Sequence, residues 1–469
     1  MALSISPEIQ KFDLSQIRDI SLDSRQVRAG SLFVALPGTR VDGAQFAHEA
    51  AHRGAAAILI DAQTPLDLIP KGPQILKSSI PARDAAHLAR RFFGPVPARS
   101  AAVTGTNGKT SVTWFARHLL ECAEKKTACV GTLGLMPPSL GALPALTSPD
   151  PISLHRALGH AAQMGFDHLV LEASSHGLEQ HRLDGLLLDV VAFTNLSQDH
   201  LDYHGTLAEY RQAKLRLLDL RKPSGIVLTN ADDPSFSSLA GWRYGFSGVE
   251  GKILNIAPTP NGIHLKTPEF DLELPLIGGF QGHNLVCAWL MTRALGHETA
   301  EHLGQIPSVP GRMETVAQRA DGGLAIVDYA HTPDALATAL RALRAHTPGR
   351  LICVFGAGGN RDQGKRALMG QVANDLADVA IITDDNPRFE DPRKIRAAIL
   401  AACPTGLEIG DRQAAIAAAL EQARPGDLIL IAGKGHEGGQ TRGTTTRPFD
   451  DRDVTAQLAQ QTSAWIPVR

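Results

Sequence analysis

Between residues 324 and 437 the chain alternates short apolar runs with polar, glycine-bearing segments. Leu324-Ala-Ile-Val-Asp328 leads to Tyr-Ala-His-Thr-Pro333, and Leu351-Ile-Cys-Val-Phe355 to Gly-Ala-Gly-Gly-Asn-Arg361. Val379-Ala-Ile-Ile-Thr383 leads to Asp-Asp-Asn-Pro-Arg388, and Leu428-Ile-Leu-Ile-Ala432 to Gly-Lys-Gly-His-Glu437. Apolar runs of this length, alternating with helical segments, predict a mostly parallel, doubly wound sheet. Each polar segment then falls at the carboxyl end of a strand, the edge where such sheets bind ligands. The same grammar holds upstream. Ser31–Leu36 and Ala55–Ile60 read as strands around an Ala-rich helix from about Ala44 to His52, a small α/β unit. Ala101–Thr104, His168–Glu172 and Val190–Asn195 are further buried strands.

Two turn-rich links, Phe93-Gly-Pro-Val-Pro-Ala-Arg99 and Ser308-Val-Pro-Gly-Arg312, interrupt the pattern. They divide the 469 residues into three expected domains, 1–98, 99–309 and 310–469. The net charge of -2 offers no basic face for nucleic acid or anionic lipid, so small molecules are the expected partners. Cys122, Cys129, Cys287, Cys353 and Cys403 are scattered and form no C-x-x-C pair, as expected of free thiols in a reducing compartment. No apolar run approaches the ~18 residues of a membrane span and the N-terminus lacks a signal-peptide pattern, so a cytoplasmic protein is expected.

The chemistry concentrates after the Ala101 strand, in Thr104-Gly-Thr-Asn-Gly-Lys-Thr-Ser111. Gly105 and Gly108 let backbone N–H groups turn toward an anion, and the helix N-terminus behind them adds its dipole. Lys109 supplies a point charge to a terminal phosphate, and the Thr110 hydroxyl can sit on magnesium. The common P-loop pattern wants a glycine where this chain has Val103, so the match is loose in spacing but ordered in its parts. Glu172 closes a strand where a second acid would meet that magnesium. Ser197–His204 is a loop dense in His and Asp, while Lys214 alone reads as a solvated lysine. His48-Glu-Ala-Ala-His52 matches the H-E-x-x-H zinc-protease pattern. However, no glutamate lies between Glu49 and Glu121 to complete the site, and Gly54 ends the helix. Gly356-Ala-Gly-Gly-Asn lacks the G-x-G-x-x-G order of a dinucleotide fingerprint, because residue 361 is Arg.

Taken in order, Thr104–Thr110, Glu172-Ala-Ser-Ser-His176, Asp199-His-Leu-Asp202, Pro310-Gly-Arg-Met-Glu314, Asp328-Tyr-Ala-His331 and Gly433–Glu437 resemble the signature of the Mur ligases of bacterial cell-wall synthesis. The resemblance covers nearly the whole chain. It implies a central P-loop-type ATP-binding domain, a C-terminal Rossmann-like domain, and an N-terminal domain for a UDP-linked substrate. Asp23-Ser-Arg25, the run 174–182 and Asp385-Asn-Pro-Arg388 most resemble the member that adds the third amino acid. The substrates so implied are ATP with Mg2+, UDP-N-acetylmuramoyl-L-alanyl-D-glutamate and meso-2,6-diaminopimelate, joined through an acyl phosphate by a monomeric enzyme. By the same resemblance Gly105, Thr106, Asn107, Gly108, Lys109, Thr110, Ser111, Asn284, Arg312 and Asp328 hold ATP, and Lys109, Glu172, His200 and Lys214 are catalytic. Thr110, Glu172, His200 and a carbamylated Lys214 hold metal. Ser24, Thr147, Ser148, Ser174, Gln180 and Arg182 grip the muramoyl peptide; Arg361, Asp385, Asn386, Pro387, Arg388, Gly433 and Glu437 read diaminopimelate. Ligation of L-lysine, a folylpolyglutamate synthetase-like ligase, and a non-catalytic nucleotide-binding protein are the alternatives. Gln281 stands where the family often has Asn, and Gly438-Gly439 where an aromatic is common, which predicts a looser loop beside the amino acid.

Overall fold

The computed structural model of the chain describes residues 6–38, 41–144 and 146–468, apart from the side chain of Asp202. The chain forms two compact units, residues 1–251 with 286–299, and residues 252–285 with 300–469.

The first unit holds two sheets. Strands β1 (Asp19–Ser21), β2 (Ser31–Val34), β3 (Ala57–Asp61) and β4 (Gln74–Ser78) pair in sequence order, all parallel. The helix Pro81–Phe93 covers them, with Leu88 and Ala89 at zero exposure. The larger sheet is built from β5 (Arg99–Thr104), β6 (Thr127–Gly131), β7 (Gly134–Met136), β8 (His168–Glu172), β9 (Leu188–Phe193), β10 (Arg221–Asn230), β11 (Trp242–Gly245) and β12 (Gly251–Lys252). Its order is β12-β11-β10-β9-β5-β8-β6-β7. From β11 through to β6 the pairs are parallel. The central strands β6, β8 and β9 are buried along nearly their whole length, which is why they read as largely apolar runs. The strand β5 lies between β9 and β8, and the chain leaves it for β6 on one side and later reaches β9 on the other. That reversal is a topological switch point, and the Gly-rich loop after β5 occupies it.

In the second unit, β13 (Asn255–Thr259), β14 (Gly262–Lys266) and β15 (Asp271–Leu274) form an antiparallel meander. The apolar-run pattern gave no sign of it. The main sheet comprises β16 (Glu314–Arg319), β17 (Leu324–Asp328), β18 (Leu351–Phe355), β19 (Val379–Ile382), β20 (Leu407–Glu408), β21 (Leu428–Ala432) and, after the hairpin β22 (Gly439–Arg442) and β23 (Thr445–Pro448), β24 (Trp465–Pro467). Its order is β20-β19-β18-β21-β17-β16-β24, parallel from β20 to β17 and antiparallel beyond. The doubly wound sheet expected of residues 324–437 is therefore present, and its strands β17, β18 and β21 begin and end where the apolar runs do. Among the described residues no helix is long and apolar enough to cross a membrane.

Candidate active site

At the switch point of the first unit, Gly105 takes a φ of +152°, and a Cβ there would lie 1.8 Å from the Thr194 hydroxyl oxygen. Only glycine permits this approach of loop to strand. The end of β9 then holds the loop: the Thr106 N–H donates to the Asn195 carbonyl at 2.9 Å, the Asn107 N–H to Asn195 Oδ1 at 2.9 Å, and Thr194 Oγ1 to the Asn107 carbonyl at 2.6 Å. Gly108 has a left-handed φ of +89° and begins the helix Lys109–Cys122. The first-turn N–H groups of that helix have no carbonyl a turn earlier to receive them, the usual anion-binding arrangement. Lys109 Nζ donates to the carbonyls of Gly105 and Thr106, both at 2.9 Å.

Lys214 is not solvated. It is 1% exposed, on the helix Leu207–Leu215; its Nζ donates to the Gly105 carbonyl at 2.8 Å and lies 4.1 Å above the Tyr210 ring. Burial, and secondarily the charge of Lys109, hold its amine well below the usual lysine range.

Glu172, 1% exposed at the end of β8, accepts from Thr110 Oγ1 at 3.1 Å, from the Thr132 N–H at 2.8 Å and from Thr132 Oγ1 at 3.0 Å. A Cβ on Gly131 would fall 2.2 Å from Glu172 Oε1, so this carboxylate packs directly on a glycine turn. Because the Thr132 hydroxyl has one proton and gives it to Glu172, the 3.0 Å contact between Thr147 and Thr132 hydroxyls has Thr147 as donor. A chain of hydroxyls thus joins Thr147 to Glu172. Ser148 Oγ donates to the Glu172 carbonyl, Ser174 Oγ donates to Ser148 Oγ at 3.0 Å, and Arg182 Nη1 donates to the Ser148 carbonyl at 2.8 Å. Arg182 Nε also reaches Gln180 Oε1 at 3.1 Å, while Gln180 Nε2 donates to the Tyr203 hydroxyl at 2.9 Å. The five central-domain residues expected to grip the peptide therefore form one network, and Thr132 and Tyr203 extend it.

His200, with a left-handed φ of 53°, sits half-exposed beside Asp199, with its ring against those of His176 and Tyr210. Among the described residues no three His, Cys, Asp or Glu side chains lie close enough to share a metal. Ser24 donates to Glu49 Oε2 at 2.7 Å, and Asp23 caps the turn by accepting from the Arg25 N–H. His48 Nε2 lies 2.9 Å from the Asp67 carbonyl oxygen, and Glu49 also accepts from Arg53. Of the H-E-x-x-H residues, His48 is thus tied to backbone and Glu49 to side chains.

In the second unit the four polar segments converge on the carboxyl edge of the sheet. Asp328 accepts from the Met313 and Ala330 N–H groups at 2.8 Å each, and burial raises its carboxyl above the ordinary range. The Arg312 guanidinium lies 4.5 Å over the Tyr329 ring, with its Nε buried and without a hydrogen-bond partner among the described residues. Asn284 donates to Gln281 Oε1 at 2.9 Å, so the Gln281 departure is accommodated by a hydrogen bond. Arg388 Nη1 donates to the Gly359 carbonyl at 2.8 Å, and Gly358 approaches so closely that a Cβ would sit 2.8 Å from Nη1. The neighbouring acids are engaged elsewhere, Glu390 with Arg366 and Asp391 with Arg393. Asp385 is buried against Gly433, Arg361 is exposed, and Phe389 projects outward at 73% exposure. Glu437 and Asn386 meet at 3.0 Å, and the fully buried Lys434 donates to both. Gly439 does not loosen this region: it begins the hairpin β22–β23, its carbonyl accepts from Lys434 at 2.6 Å, and a Cβ there would press on Thr446.

Comparison with known proteins agrees with this layout. Residues 16–93 match the model of the Mur ligase family catalytic domain, 103–292 the Mur ligase middle domain, and 311–435 the Mur ligase glutamate ligase domain. A Caulobacter vibrioides protein named UDP-N-acetylmuramoyl-L-alanyl-D-glutamate--2,6-diaminopimelate ligase is 45% identical over 96% of each chain. The chain belongs to the Mur ligase family. A Bradyrhizobium diazoefficiens protein of the same name is 44% identical over 95% of this chain and 96% of its own. A solved diaminopimelate ligase of that name superposes with a TM-score of 0.67 at 34% identity, covering 99% of this chain and all of its own. The MurF ligase of Thermotoga maritima, solved with ADP, shares the fold at a TM-score of 0.64 and 20% identity, over 96% of this chain and 98% of its own. To the residues expected from the sequence, the structure adds Thr132, Tyr203, Lys434 and Arg412 as their neighbours. Lys434 had one sequence signal, a lone cation directly after an apolar strand. Arg412 had none, because its partner Asp451 lies 39 residues away.

Proposed function

We propose that this chain ligates meso-diaminopimelate to UDP-N-acetylmuramoyl-L-alanyl-D-glutamate with ATP, in peptidoglycan precursor synthesis. The D-glutamate side-chain carboxylate attacks the γ-phosphorus of ATP, an O–P bond forms and ADP leaves. The amine of diaminopimelate then attacks the acyl carbon, a C–N bond forms, phosphate departs and the amine proton is released. The domains are 1–98 for the UDP end, 99–309 for ATP and 310–469 for the amino acid, and the enzyme works as a cytoplasmic monomer.

In this reading the phosphate loop residues Gly105–Ser111 cradle the triphosphate, with Lys109 swinging from its carbonyl partners to the transferring phosphoryl group. Arg312 and Asn284 have N–H donors to offer adenosine and phosphate, and the Asp328 carboxylate can accept from adenosine. Glu172 is a buried carboxylate that, among the described residues, meets only neutral donors, an oxygen set that suits magnesium. Thr110 and Glu172 would hold one ion, and His200 with carbamylated Lys214 a second. When bound, the metal offsets charge on the phosphoryl group. A depressed, neutral amine is what reaction with carbon dioxide requires, giving a carbamate and a proton, so the burial of Lys214 supports the carbamate role. Ser24 addresses the uridine end, and Thr147, Ser148, Ser174, Gln180 and Arg182 the peptide.

The observation that carries the amino-acid assignment is the mixture of charge at one sheet edge. Arg388 and Arg361 offer donors for carboxylates, and Asp385 and Glu437 acceptors for ammonium. Diaminopimelate carries both at each end. An L-lysine side chain ends in a cation that the arginines repel. ADP release with ATP, magnesium and the UDP-substrate tests this, with diaminopimelate and L-lysine in parallel. Turnover with diaminopimelate alone is expected; turnover with lysine alone would overturn the specificity, and none with either would overturn the ligase.

A further inference from the structure

Lys434 has no exposed surface, yet it stands directly after β21 among residues read above as the amino-acid pocket. Its Nζ donates to the Gly439 carbonyl at 2.6 Å, to Glu437 Oε2 at 3.2 Å and to Asn386 Oδ1 at 3.4 Å. Asn386 Oδ1 accepts a second donor, the Thr441 N–H, at 2.9 Å. With both of its donors on that oxygen, the amide cannot turn over without facing N–H groups with N–H groups. The Asn386 Nδ2 is thereby aimed at Glu437 Oε2, at 3.0 Å. Among the described residues this leaves one Asn386 N–H and Glu437 Oε1 without a side-chain partner.

We propose that Lys434 is a positioning residue that fixes the polarity of this pocket, so that Asn386 presents a donor to a carboxylate and Glu437 an acceptor to the neighbouring ammonium of one amino-acid head. Lys434 itself touches neither. The inference rests on the amino-acid role proposed for this edge.

Calorimetric titration of meso-diaminopimelate into the full chain, with ADP and magnesium present, tests it in wild type, Lys434→Met, Asn386→Ala and the double variant. Lys434→Met is expected to weaken binding about 10- to 100-fold, the loss of oriented hydrogen bonds to charged groups. The double variant is expected to bind no more than about threefold more weakly than Asn386→Ala, because Lys434 acts partly through that amide. ADP affinity within about twofold of wild type shows that the variants fold. Unchanged diaminopimelate binding in Lys434→Met, or losses that simply multiply, would overturn the positioning role while leaving the ligase. A wild type that binds no diaminopimelate would overturn the amino-acid reading and this inference with it. Should the variants not fold, the Asn386 side-chain amide resonances of the wild type decide: saturating diaminopimelate should shift one N–H strongly downfield, and unmoved resonances refute the proposal.

Discussion

A fully buried ion pair of the second unit sits under the carboxyl edge of its sheet, and breaking it should be felt as stability. Arg412 Nε and Nη2 donate to the two oxygens of Asp451, each at 2.7 Å, and both side chains have 0% exposure. Nη2 also donates to the Ala432 carbonyl at 2.9 Å, the last residue of β21 before Gly433–Glu437. Asp451→Asn keeps the shape and removes the paired anion, so the guanidinium stays buried with only the fields of Asp385 and Glu437 to offset its charge. Removing one partner of such a pair costs about 3–5 kcal/mol, a large part of the 5–15 kcal/mol that typically stabilises a domain. With an m-value of roughly 2 kcal/mol/M, the urea midpoint of this unit should fall by about 1.5–2.5 M. Trp465 is buried in the unit, with its indole N–H on the Leu420 carbonyl, and reports the transition once Trp114, Trp242 and Trp289 are replaced by Phe. Replacing both partners, Arg412→Met with Asp451→Leu, should recover most of the loss, because no unpaired charge remains. A midpoint shift below about 0.3 M in Asp451→Asn, or a double variant less stable than the single, would refute the reasoning.

Three further outcomes follow from the same geometry. Arg388→Ala should raise the KM for diaminopimelate about 10- to 100-fold and leave that for ATP unchanged, since a charge-assisted contact to a carboxylate is lost; an unchanged amino-acid KM in steady-state kinetics would discard the role. Lys214→Met should abolish ligation and, without metal or bicarbonate, stabilise the protein at pH 7. The wild-type amine is held well below its ordinary value, so unfolding takes up a proton; wild-type stability therefore rises with pH up to about 10.4 and the gap to the variant closes, and denaturation midpoints that differ equally at pH 7 and 10.5 would sink the argument. Thr132→Val removes one hydrogen bond to Glu172 and should raise the magnesium needed for half-maximal ligation about 10-fold, about 1.4 kcal/mol; an unaltered magnesium curve contradicts it.

What could be read from the sequence was whatever is local. Strands β17, β18 and β21 are apolar runs, the stretches Ala101–Val103 and Leu169–Leu171 mark β5 and β8, and Glu172 and Gly105 announce themselves at the ends of those strands. Lys214 shows the limit. On its own helix it is one cation among polar neighbours, and only the fold brings the Gly105 carbonyl, 109 residues away, onto its amine. Thr132 sits in a Gly-Thr-Leu turn with nothing to distinguish it until Glu172 arrives from β8. The meander β13–β15 was invisible for another reason. No full apolar run marks it: β14 and β15 alternate instead, with Ile263, Leu265 and Leu274 buried and Lys266, Asp271 and Glu273 exposed, a period-2 signal that a search for apolar runs passes over.

The hairpin that follows Glu437 explains why Arg388 can occupy an unfavourable backbone state. Arg388 has φ = 52°, a conformation that costs a non-glycine residue roughly 1–2 kcal/mol. It is held there from both sides, its N–H donating to the Thr441 carbonyl at 3.0 Å and its carbonyl accepting from the Gly443 N–H at 2.7 Å. Two backbone bonds to the hairpin outweigh the local cost. Pro387, just before it, is confined in φ and lends no N–H to compete for these partners. The same hairpin supplies the Thr441 N–H to Asn386 Oδ1 and the Gly439 carbonyl to Lys434, so one short antiparallel pair fixes both the arginine and the amide. The glycine at 439 therefore belongs to a frame: it keeps the strand close enough to Lys434 for that side chain to find its carbonyl, whereas an aromatic side chain at 439 would press against Thr446 and one at 438 would meet open space.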